Sequence, residues 1–223
     1  MSHSSGDLRV RRTQKLIRDA LIALIEEHGF DAITVGEIAS RAMVSRTAFY
    51  RYYEDKYDLV MKLFEETVIA MNNDFDLFRR DVLSTVDPGT GSQSWVQLFK
   101  HAEQAFPTPS PYVELFEHVT HYESLYRALL GKRGSSWFVM NLRSYLAEMI
   151  GERLQELVRA LGGNAGASSR VLADGFVPAQ IAALLVDAIT WWLEQGKPYT
   201  PRQIATYYYR MMCSILKDVP TWE

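Results

Sequence analysis

Between Arg11 and His28 the apolar residues Leu16, Ile17, Ala20, Leu21, Leu24 and Ile25 recur at three- and four-residue intervals, and Gly29 stops the run. This is the period of one buried helix face. The same period returns in most later segments, while the alternation of a half-buried strand is weak throughout, so an all-α fold is predicted. Further helices are expected over Trp95–Phe106, Tyr112–Leu130, Trp137–Leu161, Pro178–Gln195 and Pro201–Lys217. Loops are expected over Ser84–Ser94 and Pro107–Pro111, which are rich in proline, glycine and serine.

Between the first of these helices and residue 60 the chain carries a denser set of signals. Thr34-Val35-Gly36-Glu37 has the form of a capping box, with Thr34 as the cap and Glu37 reaching back. The helix it opens turns Ile38 and Ala39 inward and runs through Ala42. Met43-Val44-Ser45 makes a three-residue turn, and Ser45 caps a further short helix reading Arg46-Thr47-Ala48-Phe49-Tyr50-Arg51-Tyr52-Tyr53. Asp55 and Asp58 start a fourth helix. Two short helices across such a turn are the geometry of a helix-turn-helix, whose second helix fits a major groove ~12 Å wide. Phe49 and Tyr53, four residues apart, face the core; Arg46, Thr47, Tyr50 and Arg51 then face solvent or DNA. A solvent-facing helix dense in tyrosine and arginine suits phosphate and base contact better than a structural role.

Net charge does not oppose this. The chain of 223 residues carries −3 overall, but position outweighs the sum. Arg9, Arg11, Arg12, Lys15 and Arg18 crowd the N-terminal arm, Arg41, Arg46, Arg51 and Lys56 bracket the recognition segment, and the acidic excess lies later. The lone cysteine, Cys213, forms no internal disulfide and favours a reducing compartment. With no charged-then-apolar leader at Met1, a cytoplasmic location is expected. Val177–Leu193, the most apolar stretch, is interrupted by Pro178, Gln180 and Asp187, and no membrane partner is expected. No phosphate-binding loop, dinucleotide fingerprint or nucleophile elbow is present, so an enzyme is not expected.

Residues 11 to 59 resemble the DNA-binding domain of the TetR family of bacterial regulators. The match runs through Thr34-Val35-Gly36-Glu37-Ile38-Ala39 and then Ala42 to Leu59. A second run, Trp191-Trp192-Leu193-Glu194-Gln195-Gly196-Lys197-Pro198-Tyr199-Thr200-Pro201, resembles the C-terminal part of a subgroup frequent in Gram-positive bacteria. The resemblance implies roles at matching positions. Thr34 contacts phosphate; Ser45, Arg46, Thr47 and Ala48 supply base and near-base contacts; Tyr50 and Tyr52 touch phosphates, with Tyr52 where histidine is common; Lys56 contacts the DNA backbone. Arg51, Arg11, Arg12 and Lys15 complete the expected DNA-binding set. Two positions depart from the pattern. Gly36 stands where some members carry a base-reading side chain, and Met43 replaces the usual turn glycine, at a cost of ~1–2 kcal/mol if the backbone there keeps a positive φ.

The expected organisation is a disordered tail over residues 1–10, a helix-turn-helix domain over 11–54, and a helical ligand-binding and dimerisation domain over 55–223. The helices Pro178–Gln195 and Pro201–Lys217 are apolar on more than one face and need cover on two sides. Ile181, Leu184, Leu185, Ala188 and Trp192, with Ile204, Tyr208, Met211 and Ile215, are the expected homodimer interface about a two-fold axis. Phe64, Met71, Phe75, Phe99, Tyr126, Phe138 and Tyr145, with the polar groups of His118 and Tyr122, are the expected lining of a cavity for an apolar or aromatic effector; ordinary core packing is the competing account. His118 and His121 share a helix face, but with no cysteine nearby and no second ligand pair, neither a metal nor another cofactor is expected. The function that follows is a ligand-responsive repressor holding a palindromic operator as a dimer. The alternative is a coactivator of related fold that joins another protein instead of DNA.

Overall fold

The computed structural model describes residues 3–65, 92–104, 108–131, 134–161, 172, 174–219 and 222, and among these all regular structure is helical. The elements are α1 (His3–His28), α2 (Val35–Arg41), α3 (Arg46–Tyr50), α4 (helical over 56–65), α5 (Ser92–Gln104), α6 (Ser110–His121), α7 (Glu123–Leu130), α8 (Ser136–Ala160), α9 (Phe176–Glu194) and α10 (Pro201–Asp218). They fall into two compact units. One holds α1 to α4 together with residues 122–139; the other holds α5, α6, residues 140–161 of the α8 region, α9 and α10.

Several expected boundaries change. The helices α5 and α6 begin at Ser92 and Ser110, inside the two expected loops, and residues 84–91 and 107 of those loops lie outside the described residues. The helix α1 begins at His3, so residues 3–10 are helical where a disordered tail is expected. Past Gly6 the run Asp7-Leu8-Arg9-Val10-Arg11 holds no breaker, and the Thr13 hydroxyl donates back to the Arg9 carbonyl at 2.9 Å. The expected helix Tyr112–Leu130 is two helices, parted at Tyr122, whose φ of −109° and ψ of 35° leave the helical range. This break places α7 in the N-terminal unit, so a boundary at residue 54 does not separate the two units.

The first unit is built around α1, which buries Ile17, Ala20, Leu21, Leu24 and Ile25 as the period requires. Its core is joined by Phe30, Ile33, Ile38, Phe49, Tyr53, Leu59 and Val60. On α4, Phe64 packs its ring against Tyr126 of α7 at 5.2 Å and against Phe138 of α8 at 4.9 Å. Tyr57 meets Trp137 at 4.3 Å. Burial of Tyr126 pushes its hydroxyl well above the ordinary tyrosine range, so it stays protonated.

In the second unit α10 packs along α5 and α6. It opens with a capping box, Thr200 to Gln203, and Pro201 fits the first turn, where a missing N–H costs nothing. Trp95 of α5 donates its indole N–H to the Leu216 carbonyl at 2.6 Å, and the Thr108 and Thr206 hydroxyls pair at 2.6 Å. The ring of Tyr112 lies 4.9 Å from that of Tyr209, and its hydroxyl points at the Met212 sulfur at 3.6 Å. The helix α9 buries Val177, Ile181, Ala182, Leu185, Val186, Ile189, Trp192 and Leu193. By length and composition α9 could cross a membrane, which is weak evidence for a helix half of whose apolar window is buried inside the protein. It ends at Gly196, with the N–H groups of Gly196 and Lys197 returning to the Leu193 and Trp192 carbonyls.

Candidate nucleic-acid interface

The site is set by how α2 ends and α3 begins. Thr34 caps α2: its hydroxyl oxygen accepts from the Glu37 N–H at 3.3 Å, while its own N–H and O–H donate to the Glu37 carboxylate at 2.8 and 2.7 Å. Those bonds hold the Glu37 carboxyl below its ordinary pKa. At the other end the helix closes with two reverse bonds, Met43 N–H to the Ser40 carbonyl at 3.1 Å and Val44 N–H to the Ala39 carbonyl at 2.9 Å. That pairing requires a left-handed residue between cap and turn, normally glycine. Here it is Met43, at φ 53° and 89% exposed. The turn therefore keeps its geometry, and methionine bears the strain.

Ser45 caps α3, accepting from the Ala48 N–H at 3.0 Å. The helix is anchored by one side chain, Phe49, which is wholly buried and 5.6 Å from the ring of buried Tyr53. Anchoring through Phe49 turns Arg46, Thr47, Tyr50 and Arg51 outward, all exposed, with Ala48 and Tyr52 half-buried beside them. Arg11, Arg12 and Lys15 are exposed on α1. On the same α1–α2 pair, Arg41 and Glu27 form an exposed ion pair that holds the Glu27 carboxyl below its ordinary pKa.

Lys56 does something the sequence pattern does not indicate. Its ammonium donates to the carbonyls of Phe30, Asp31 and Ile33, each at 2.9 Å. It also lies 4.9 Å from the Phe30 ring centre and 5.2 Å from that of Tyr57. An ammonium has three N–H donors, and three carbonyls engage Lys56, so the group expected on a phosphate is turned into the α1–α2 link. Partial burial pulls its pKa down, against the pull of Asp31, Asp55 and Glu37.

The expected effector-lining residues are divided between the two compact units. Within the first unit Phe64 packs on Tyr126 and on Phe138, and Tyr122, in the same unit, is 37% exposed. Phe99, His118 and Tyr145 belong to the second unit, where Phe99 is buried against Trp95. Burial, with His121 beside it, lowers the His118 pKa to about 4. Met71 and Phe75 lie outside the described residues.

The expected dimer stripe needs correction. Ile181, Leu185, Trp192, Ile204 and Tyr208 are buried within the single chain, so they are core residues and unavailable to a second copy. Of that set only Leu184, Ala188, Met211 and Ile215 keep surface. The apolar material left outside is a different run: Trp191 stacks on Tyr199 at 6.2 Å, Tyr199 meets Tyr207 edge-on at 5.2 Å, and these three with Met211 are exposed. The Trp192 indole donates to the Tyr199 carbonyl at 2.8 Å and so fixes the loop that carries this run.

A buried hub, two capped short helices and a left-handed turn between them define a helix-turn-helix protein. Residues 17–63 match the family model described as bacterial regulatory proteins, tetR family, and residues 109–214 match that of a transcriptional regulator C-terminal region. The chain belongs to the TetR family, a family of transcriptional regulators and not of enzymes. Two relatives from Bacillus subtilis (strain 168) are similar to it, both uncharacterized HTH-type transcriptional regulators. YdeS is 39% identical over 67 residues, covering 30% of this chain and 34% of the relative. YxbF is 40% identical over 50 residues, covering 22% and 13%. The matched stretch thus spans about a third or less of either relative. Among solved structures, the fatty acid degradation regulator FadR from Bacillus halodurans is 18% identical, with 90% of this chain and 94% of that one covered at a TM-score of 0.49. A TetR transcriptional regulator from Streptococcus agalactiae 2603V is 23% identical, with 94% and 98% covered at 0.43.

Proposed function

We propose that this protein is a cytoplasmic transcriptional repressor that binds a palindromic operator as a homodimer and releases it when a small effector binds. The observation that carries the reading is the outward face of α3. One buried anchor, Phe49, leaves Arg46, Thr47, Tyr50 and Arg51 exposed together on a helix capped for its length. Thr34, Ser45, Ala48 and Tyr52 flank that face, and Arg11, Arg12 and Lys15 add charge from α1. Phosphate contacts fix register on a duplex and base-edge contacts read sequence; a face of tyrosine, threonine and arginine offers both.

The dimer is proposed through the surface that α9 and α10 leave uncovered, with Trp191, Tyr207 and Met211 at its centre and Leu184, Ala188 and Ile215 beside them. An obligate interface of ~2,000 Å² or more in total is expected. The effector is proposed to be apolar or aromatic, with His118 and Tyr145 of the second unit as candidates for its polar end. The proposed working division gives DNA binding to the first unit, whose DNA face lies within residues 11–54, and dimerisation to the second.

A mobility shift with the DNA upstream of the protein's own gene tests the reading. A sequence-specific shift, with two half-sites one helical turn apart in a footprint, is expected. Absence of any specific shift, together with capture of an RNA polymerase-associated or other regulatory protein, would favour the coactivator alternative.

A further inference from the structure

The helix α2 carries a glycine in its first turn, at Gly36. Glycine disfavours a helix relative to alanine, and Gly36 is not among the residues with a positive φ. Its backbone therefore does not need glycine. What it supplies is room. A β-carbon on Gly36 would stand 2.5 Å from Nη2 of Arg46, 3.1 Å from Cζ and 3.2 Å from Nε. The guanidinium of the first residue of α3 thus rests across the bare backbone of α2, in the volume a side chain at position 36 would take.

Arg46 is also uncommitted. It is exposed, and among the described residues no hydrogen bond or ion pair engages it. A long side chain loses freedom when it binds; one already laid against a neighbouring helix has lost part of it, while its N–H groups stay open for a ligand. The N-terminal residues of a recognition helix are the ones aimed at base edges, and the planar arginine fork matches the paired acceptors of guanine in the major groove.

We propose that Gly36 and Arg46 act as one base-reading element, in which Gly36 is a specificity-determining position that seats the Arg46 side chain for a guanine. This rests on the DNA-binding reading above and adds the base and the residue that positions its reader. Side chains at 36 and the present course of Arg46 exclude each other, so a residue at position 36 redirects Arg46 and changes the sequence preferred.

The test is selection from a pool of randomised DNA duplexes with the full chain, its Gly36→Ala and Arg46→Ala variants and the double variant. It is followed by titration of each protein against the wild-type-selected duplex and one unrelated duplex. The wild type is expected to enrich a guanine in each half-site. Arg46→Ala loses that preference and about tenfold in affinity for the selected duplex, with the unrelated duplex unaffected. Gly36→Ala loses the same guanine, and the double variant loses no more than Arg46→Ala alone. A Gly36→Ala protein that selects the wild-type sequence with wild-type affinity overturns the proposal, as do additive losses in the double variant. Equal losses on both duplexes for Arg46→Ala also overturn it, because they place the guanidinium on phosphate. Thermal unfolding keeps a folding defect apart: a midpoint lowered in Gly36→Ala is restored in the double variant if the collision with Arg46 causes it, and one that stays low overturns the seat. A wild type that enriches no sequence overturns the DNA-binding reading itself, and this proposal with it.

Discussion

Lys56 reaches back to Ile33 and donates a 2.9 Å hydrogen bond to its carbonyl, closing the link between α1 and α2 from the first turn of α4. With Phe30 and Asp31 bound by the same ammonium, Lys56→Met removes three charge-assisted hydrogen bonds from carbonyls that sit just before the Thr34 cap. A loss of ~1–2 kcal/mol in stability is expected, read as a lower midpoint in urea. The salt dependence of DNA binding is expected to keep its slope. A slope reduced by ~1 with an unchanged midpoint would place Lys56 on a phosphate instead.

Met43 holds a left-handed backbone at φ 53° with its side chain 89% exposed, so nothing buried is lost when the side chain is removed. Met43→Gly is expected to stabilise the protein by ~1 kcal/mol, the relief of strain exceeding the added freedom of the unfolded chain. In a chain of this size that corresponds to a rise of about 2–4 °C in Tm. A fall in Tm would show that the methionine side chain makes contacts that outweigh its backbone cost.

Substitutions on the two sides of the C-terminal helices separate core from interface. Ile181→Glu places a charge where nothing is exposed and is expected to cost ~3–5 kcal/mol or to prevent folding. Tyr207→Glu combined with Met211→Glu, on the outward side of α10, is expected to leave the circular dichroism helical and to yield monomers in light scattering. Dimers that persist in that double variant would exclude this surface as the interface.

His118 gives a signed dependence on pH. Its folded pKa, about 4, lies below the unfolded value near 6.5. Above pH 6.5 both states are neutral and its contribution is fully present. As pH falls from 6.5 toward 4 the unfolded chain takes up the proton first, and stability drains away. His118→Gln is expected to lose less stability than the wild type across that window; identical losses in the two proteins would show that His118 is solvated in the folded state.

The caps were legible because they are local. Thr34 with Glu37 and Ser45 before Arg46 need only three-residue spacings, and the hydrogen bonds found are those the spacings predict. Thr200 with Gln203 is equally local and could have been read the same way. The partners of Lys56 are not legible, because the carbonyls of Phe30, Asp31 and Ile33 are distant in sequence and every residue carries one. The burial of Ile181, Leu185 and Trp192 in the chain's own core is not legible, because α9 is apolar on two faces and periodicity does not say which of the two meets that core. The break at Tyr122 carries neither glycine nor proline, the residues by which a sequence announces an interruption.

The rings of Phe64, Tyr126 and Phe138 bear on how regulators of this kind can be recombined. The compact unit that displays Arg46 and Tyr50 is discontinuous in sequence: residues 122–139 belong to it as fully as α1 does. A chimaera that grafts only the first 65 residues onto another C-terminal domain leaves Phe64 facing a foreign surface in place of Tyr126 and Phe138. Swapping operator preference between relatives therefore calls for a two-piece graft, in which the aromatic partners travel with the helices they support.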